Sequence, residues 1–250
     1  MNRTVIRAME ILDLVSRSKD GVPLKTIMER INLPKSSAHV LVQTLVSEGY
    51  IALSPHNSKL YVLGIATYTL GMRYLQGLNF VDACAYELDP LADEFGKTGF
   101  VAVLKDQYVV YMHKYVSSKS IISSCALGSQ KEAYSTALGK SIFAFMPEPE
   151  RTRLIDGITF KSITSNTITD RSRFVEELDA IRRKGYALDI RENDNALACA
   201  AVPVFDYSGK VIASMSLSDI YKPGEDLDVI GEELKQAAKR VSRALGYLPQ

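Results

Sequence analysis

Apolar residues in the first sixty positions follow a helical period, then an alternating one. Leu24, Ile27, Met28 and Ile31 give one apolar side to a predicted helix. Asn32-Leu33-Pro34 breaks it, because the proline ring disfavours helical geometry at Leu33. A second helix is predicted from Lys35 or Ser36, with Ala38, Leu41, Leu45 and Val46 inward and Gly49 at its end. Residues 50–53 and 60–63 are strand-like and flank a turn-rich loop at 54–59. Upstream, residues 6–15 form an amphipathic helix, with Thr4 a candidate cap. Three helices followed by a hairpin with a polar tip is the order of a winged helix-turn-helix.

Gly64 marks a domain edge. Residues 65–75 form a helix that is apolar on more than one side, suited to docking on the chain's own second domain or to a dimer seam. Beyond it the pattern predicts a helix at 81–95 interrupted or restarted at Asp89-Pro90 and strands at 99–104, 108–115 and 121–127. Helices follow at 135–145, 148–155 and 171–184, then strands at 186–190, 198–205 and 211–218 and a closing helix at 225–245. Hairpins mixed with helices predict an α+β domain with a mainly antiparallel sheet. The organisation expected is a DNA-binding domain at 1–64, a linker helix at 65–78 and a second domain at 79–250.

The outer face of the second helix carries Lys35, Ser36, Ser37, His39, Val40, Gln43 and Thr44. Short polar and basic side chains on an exposed helix suit the base edges and phosphates of a DNA major groove. An ordinary helical hairpin would also have a polar outer face, and it is the hairpin after the helix that favours DNA. His56, Asn57 and Lys59 fall on the predicted wing, near the backbone of a bound duplex.

Composition narrows the field. With 46% hydrophobic and 24% charged residues the chain is expected to fold fully, with no disordered tract. No apolar run nears the roughly 20 residues of a membrane span, and the N-terminus lacks a signal-peptide layout, so a cytoplasmic location without a membrane partner is expected. Net charge is +1, but residues 1–64 hold eight Lys/Arg against five Asp/Glu, a modest basic excess that fits a DNA-binding front end. Three scattered cysteines and three scattered histidines suggest neither a disulfide framework nor a metal site, and no cofactor is expected.

Three stretches of the second domain carry candidate chemistry. Ala137-Leu138-Gly139-Lys140-Ser141 opens a helix, but the first glycine of a phosphate loop would fall at Tyr134, so that motif fails. Unpaired amides at the helix start could still attract a carboxylate, or Ser135 or Thr136 could simply cap the helix. Asp189 ends a strand before a polar loop, where it could accept ligand hydroxyls or face solvent. Cys199 leads a strand paired through a turn with residues 211–218, in which Ser216 and Ser218 share one sheet face. Two hydroxyls on an inner face need partners, supplied by ordered water or by a polar ligand. A rival reading makes Cys199 the nucleophile of a cytosolic enzyme. Neither a G-x-S-x-G motif nor a nucleophilic triad supports it, and no catalytic residue is assigned.

Taken together, LPKSSAHVLVQTL, LYVLG, TALGKSIFA, GYALDIRE and CAAVPVFDYSGKVIASMSLS resemble the IclR family of bacterial transcription regulators, across nearly the whole chain. The resemblance implies a winged helix-turn-helix and a GAF-like effector-binding domain joined by a linker helix, in homodimers or homotetramers. It implies double-stranded operator DNA and a small organic acid, a sugar acid or keto acid, as partners, with repression the expected mode. Carried over by position, it implies effector contacts at the backbone of Ala137 and Leu138 and the side chains of Asp189, Cys199, Ser216 and Ser218. Met215, Leu217 and Ile122 are taken as the apolar wall. One departure is Val40, where the family usually has arginine; operator affinity and sequence preference are expected to differ accordingly.

Overall fold

The computed structural model describes residues 2–76, 79–120 and 125–248. The chain divides into two compact units, residues 1–78 and 79–250, and the architecture is α+β.

In the first unit, α1 (Arg3–Ser16), β1 (Val22–Pro23), α2 (Leu24–Ile31) and α3 (Lys35–Ser47) precede a hairpin of β2 (Ile51–Ser54) and β3 (Asn57–Leu63). α4 (Ile65–Gln76) follows. The cap of α1 is Asn2, not Thr4: its Oδ1 accepts from the Thr4 amide at 3.0 Å, satisfying an orphan donor of the first turn. Between α2 and α3, Asn32 turns the chain at φ +52°, a left-handed conformation that asparagine tolerates better than most residues. α3 buries Ala38, Val42 and Leu45, while Leu41 and Val46 are only half-buried. Val42 belongs in the inward stripe that periodicity drew without it. β1 pairs with β3, so the sheet runs β1-β3-β2. Ile11, Val15, Ile27, Ala38, Val42 and Ile51 form the core beneath it. Gly64 lies so close to the end of α3 that a Cβ there would stand 2.1 Å from the Gly49 carbonyl oxygen.

The second unit is a six-stranded antiparallel sheet between two helical layers. α5 (Asn79–Phe95) runs through Pro90 without restarting. β4 (Thr98–Lys105) and β5 (Tyr108–Val116) form a hairpin. β6 (Gln130–Glu132), a turn of 3-10 helix at Ala133–Ser135, α6 (Ala137–Phe145), α7 (Glu148–Asp156) and α8 (Arg171–Lys184) come next. β7 (Ala187–Ile190), β8 (Leu197–Phe205), β9 (Val211–Ile220) and α9 (Leu227–Ala244) complete it. The strand order is β6-β5-β4-β9-β8-β7. The strand expected at 121–127 falls partly outside the described residues, and its described part, 125–127, is not strand; β6 begins three residues later.

Alternation on the strands sorts side chains between two cores. Phe100, Ala102, Val109, Tyr111 and Ala201 face α6 and α8. Val101, Ala200, Val202, Met215 and Leu217 face α5 and α9. Met215 and Leu217 therefore lie on the opposite face of β9 from Ser216 and Ser218 and cannot wall a site that those serines line. Ile122 lies outside the described residues.

Candidate functional site

On the first unit, α3 presents Lys35, Ser36, Ser37, His39, Val40 and Gln43 to solvent on one side while Ala38, Val42 and Leu45 anchor the other. Val40 is 62% exposed, an apolar side chain at the middle of a polar face. Thr44 is exposed as well, its hydroxyl donating back along the helix to the Val40 carbonyl at 2.9 Å. The hairpin turns in two residues, Pro55 and His56, tighter than the loop expected at 54–59. Asn57 and Lys59 therefore stand on β3 itself, exposed, and Asn57 Oδ1 accepts from the Lys59 amide at 3.0 Å.

On the second unit, the residues singled out around TALGKS, Asp189, Cys199 and the two serines converge on one cleft. Ala137, Leu138, Asp189, Cys199, Ser216 and Ser218 all line it, at the start of α6 and the ends of β7, β8 and β9. The cap of α6 is Thr136, whose Oγ1 accepts from the Gly139 amide at 3.1 Å. The Ala137 and Leu138 amides belong to the first turn and meet no protein acceptor among the described residues, leaving two donors and the positive helix end at the cleft.

The three residues that suggested a phosphate loop have other work. Gly139 lets α6 start against the preceding 3-10 turn, where a Cβ would fall 2.1 Å from the Ala133 carbonyl oxygen. Lys140 is wholly buried, with Nζ 2.5 Å from Glu192 Oε1 and 3.3 Å from Glu177 Oε1. Ser141 Oγ lies 2.6 Å from Ser214 Oγ, a hydroxyl pair between α6 and β9.

Asp189 is 3% exposed, so it is not a solvated loop residue. Its Oδ1 accepts from the Glu192 amide at 2.7 Å, which folds the following loop back over the strand end. Burial pushes its carboxyl up to about 6, against the opposing pull of that amide and of Lys140. Its Oδ2 has no hydrogen-bond partner among the described residues. The Ser216 hydroxyl likewise bonds to no described residue, whereas the Cys199 thiol donates to Ser218 Oγ at 3.0 Å. Burial, with the nearby Asp189, pushes the Cys199 thiol well above its ordinary range and keeps it protonated.

Other residues of the cleft carried no local signal. Phe100, Tyr111, Cys125 and Leu197 form the apolar wall that Met215 and Leu217 do not. Lys131, on the three-residue β6, donates to Asn193 Oδ1 at 2.7 Å, and Asn193 Nδ2 donates in turn to Ser135 Oγ at 2.7 Å. This chain ties the Asp189 loop to the start of α6. The free space between the walls is about 30 Å³, enough for a water and little more. Among the described residues no group of histidines, cysteines and carboxylates is placed to hold a metal ion, and no helix is long and apolar enough to cross a membrane.

Residues 72–243 match the profile described as bacterial transcriptional regulator IclR C-terminal, and residues 4–55 match the IclR helix-turn-helix domain. The HTH-type transcriptional regulator XynR of Escherichia coli K12 is 32% identical over 247 residues, covering 98% of each chain. The DNA-binding transcriptional repressor YiaJ of the same strain is 28% identical over 255 residues, covering 98% of this chain and 89% of that one. The crystal structure of the Thermotoga maritima IclR superposes with a TM-score of 0.77 at 32% identity, covering 98% of this chain and 99% of that one.

Proposed function

The chain belongs to the IclR family of bacterial transcriptional regulators, and on that premise we propose that it is a repressor whose grip on operator DNA is set by a small carboxylate bound at the cleft around Asp189. The observation that carries the ligand half is the convergence of unpaired donors and acceptors on one spot. Two first-turn amides, at Ala137 and Leu138, and the Ser216 hydroxyl suit a carboxylate. Asp189, facing them with one oxygen uncommitted, suits a ligand hydroxyl. A sugar acid offers both groups, as does a keto acid that also carries a hydroxyl. The cleft is narrow, so such a ligand must move its walls, and a ligand that binds two arrangements unequally shifts the balance between them.

For DNA, Lys35, Ser36, Ser37, His39, Val40 and Gln43 form the surface of α3 that enters the major groove, with Asn57 and Lys59 of the wing on the backbone. Val40 in place of arginine trades a phosphate or guanine contact for an apolar one, which suits a thymine methyl. The protein acts in the cytoplasm as a homodimer or homotetramer reading a near-palindromic site. Ile65, Tyr68 and Leu70, exposed on α4, offer an apolar surface for the partner. Repression agrees with the role of YiaJ. The Cys199 enzyme reading loses support because burial holds that thiol protonated and, among the described residues, its hydrogen-bond partner is the Ser218 hydroxyl and not a base.

The test is a gel shift on the DNA upstream of the chain's own gene at low ionic strength, repeated with a panel of keto acids and sugar acids. The expected result is a retarded complex released by one of the acids. A well-folded protein that ignores all native promoter fragments would refute the DNA half. A complex insensitive to every acid in the panel would refute the carboxylate half.

A further inference from the structure

The second unit holds a larger concavity away from the Asp189 cleft. It is a groove of about 380 Å³ between α9 and β8, closed at one end by the tip of α6. Its size falls in the range of about 300–1,000 Å³ typical of small-molecule sites.

The groove has two chemistries. Its floor is apolar and mostly aromatic. The Phe145 and Phe205 rings meet edge-on with centroids 5.6 Å apart, and Phe205 stacks on Tyr247 at 5.0 Å. Val202 extends this floor along β8. Ser242, which also lines the groove, is already committed: its Oγ accepts from the Phe205 amide at 3.0 Å. The rim is cationic. Lys235, Lys239 and Arg243 recur every fourth residue along α9, so one ridge of the helix carries three positive charges over the groove. Lys235 is held by Glu232 at 2.7 Å and by the Lys184 carbonyl. Lys239 and Arg243 are exposed and have no acidic partner among the described residues.

Like charges four residues apart repel and work against the helix that carries them. An apolar floor beneath unneutralised cations is complementary to one kind of molecule: an apolar body bearing a single negative charge. We propose that this groove is a second ligand site, distinct from the Asp189 cleft, that takes an amphiphilic organic anion, an aromatic or short acyl carboxylate. The apolar body lies on Phe145, Phe205 and Tyr247, and the carboxylate meets Lys239 and Arg243. A nucleotide or sugar phosphate would satisfy the rim but leave its polar body on an aromatic floor without hydrogen-bond partners, so those classes are disfavoured.

The experiment uses full-length protein and 4-benzoylbenzoate, an aromatic carboxylate that crosslinks on illumination. Labelled peptides are mapped by mass spectrometry, and affinity is read from saturation of labelling. Saturable label is expected in the peptides carrying residues 202–205 and 238–247. The Lys239→Gln/Arg243→Gln protein, altered only at exposed positions, should bind about tenfold more weakly at an unchanged melting temperature. Lys239→Arg/Arg243→Lys should keep the affinity. Raising salt should weaken labelling, because exposed charges are screened. Label confined to the peptides carrying Ala137, Asp189 and Cys199 would overturn the proposal, since the probe would then be in the other cleft. An affinity unmoved by the double substitution would also overturn it, as would absence of saturable label. If the double substitution instead changes only the sedimentation behaviour, a second copy of the chain covers the groove and the proposal fails.

Discussion

Replacing Lys140 by methionine tests an ion pair whose cation is wholly buried in the second unit. Lys140 is 0% exposed and holds Glu192 at 2.5 Å, while Glu192 Oε2 is buried without a hydrogen-bond partner among the described residues. Burial pushes the Glu192 carboxyl up from its ordinary 4.5 to about 7, even with Lys140 pulling the other way. The folded protein thus holds this proton more tightly than the unfolded chain. That difference removes stability as pH rises from 4.5 through 7, by roughly 3 kcal/mol at about 1.4 kcal/mol per pH unit, and nothing further above 7. Lys140→Met keeps much of the side-chain volume and deletes the counter-charge. The Glu192 carboxyl then rises further, so stability keeps falling above pH 7 where the parent is flat. At pH 8 the deficit should approach the roughly 3–5 kcal/mol typical of stranding one partner of a buried pair. At pH 5.5, with Glu192 protonated in both proteins, it should largely vanish. Lys140→Met/Glu192→Gln should recover most of the loss at pH 8. Urea unfolding followed by far-UV circular dichroism at the two pH values reads all three. An equal deficit at pH 5.5 and 8, or a double variant no better than the single at pH 8, would refute the reasoning.

Gly64→Ala should lower the melting temperature of the first unit by at least about 5 °C, read by calorimetry, because its Cβ would meet the Gly49 carbonyl oxygen at 2.1 Å and overpacking typically costs about 1–3 kcal/mol. An unchanged transition would mean that the junction of α3 and α4 is looser than this contact implies. Lys35→Ala should weaken binding to specific and non-specific DNA alike and make the slope of log affinity against log salt shallower by about one unit, as for one lost phosphate contact. The same slope as the parent would remove Lys35 from the backbone contacts. Asp189→Ala should leave DNA affinity intact and abolish release by whichever acid releases the parent; normal release would put the ligand elsewhere.

The winged domain was readable because its determinants are local. Pro34 stops one helix and Gly49 the next, and the face left over is the face that α3 exposes. What periodicity missed there needs a partner from elsewhere in the chain. Val42 looks surplus to a stripe that already holds Ala38 and Leu45, and only the packed core shows it at 0% exposure. β1 is two residues long and exists only because β3 lies beside it. In the second unit, Pro90 suggested a break, but α5 passes through it, and a proline in a helix is tolerated where packing compensates for the lost hydrogen bond. Leu88, Leu91 and Ala92 are all buried around it.

The cleft divides in the same way. Ser216 and Ser218 share a face by strand alternation, and an anion preference at Ala137 and Leu138 follows from any helix start. The wall does not follow. Alternation itself excludes Met215 and Leu217, and the residues that replace them, Phe100, Tyr111, Cys125 and Leu197, come from strands and a loop that meet only in three dimensions. Lys131 and Asn193 are 62 positions apart and are joined by one hydrogen bond. Asp189 shows why the difference matters for mechanism. As a loop residue in water it would be an ordinary carboxylate. Buried at the end of β7 and holding the Glu192 amide, it is raised to about 6, and Glu192 beside it to about 7. An anionic ligand entering this cleft adds negative charge next to two carboxyls that already resist ionising, so its binding should draw a proton onto one of them. Affinity for the acid should then fall as pH rises above about 6. If the proposed acid binds here, a proton enters its binding equilibrium, through a coupling that neither the GKS nor the D-I-R-E stretch reveals until folding brings Lys140 and Glu192 together.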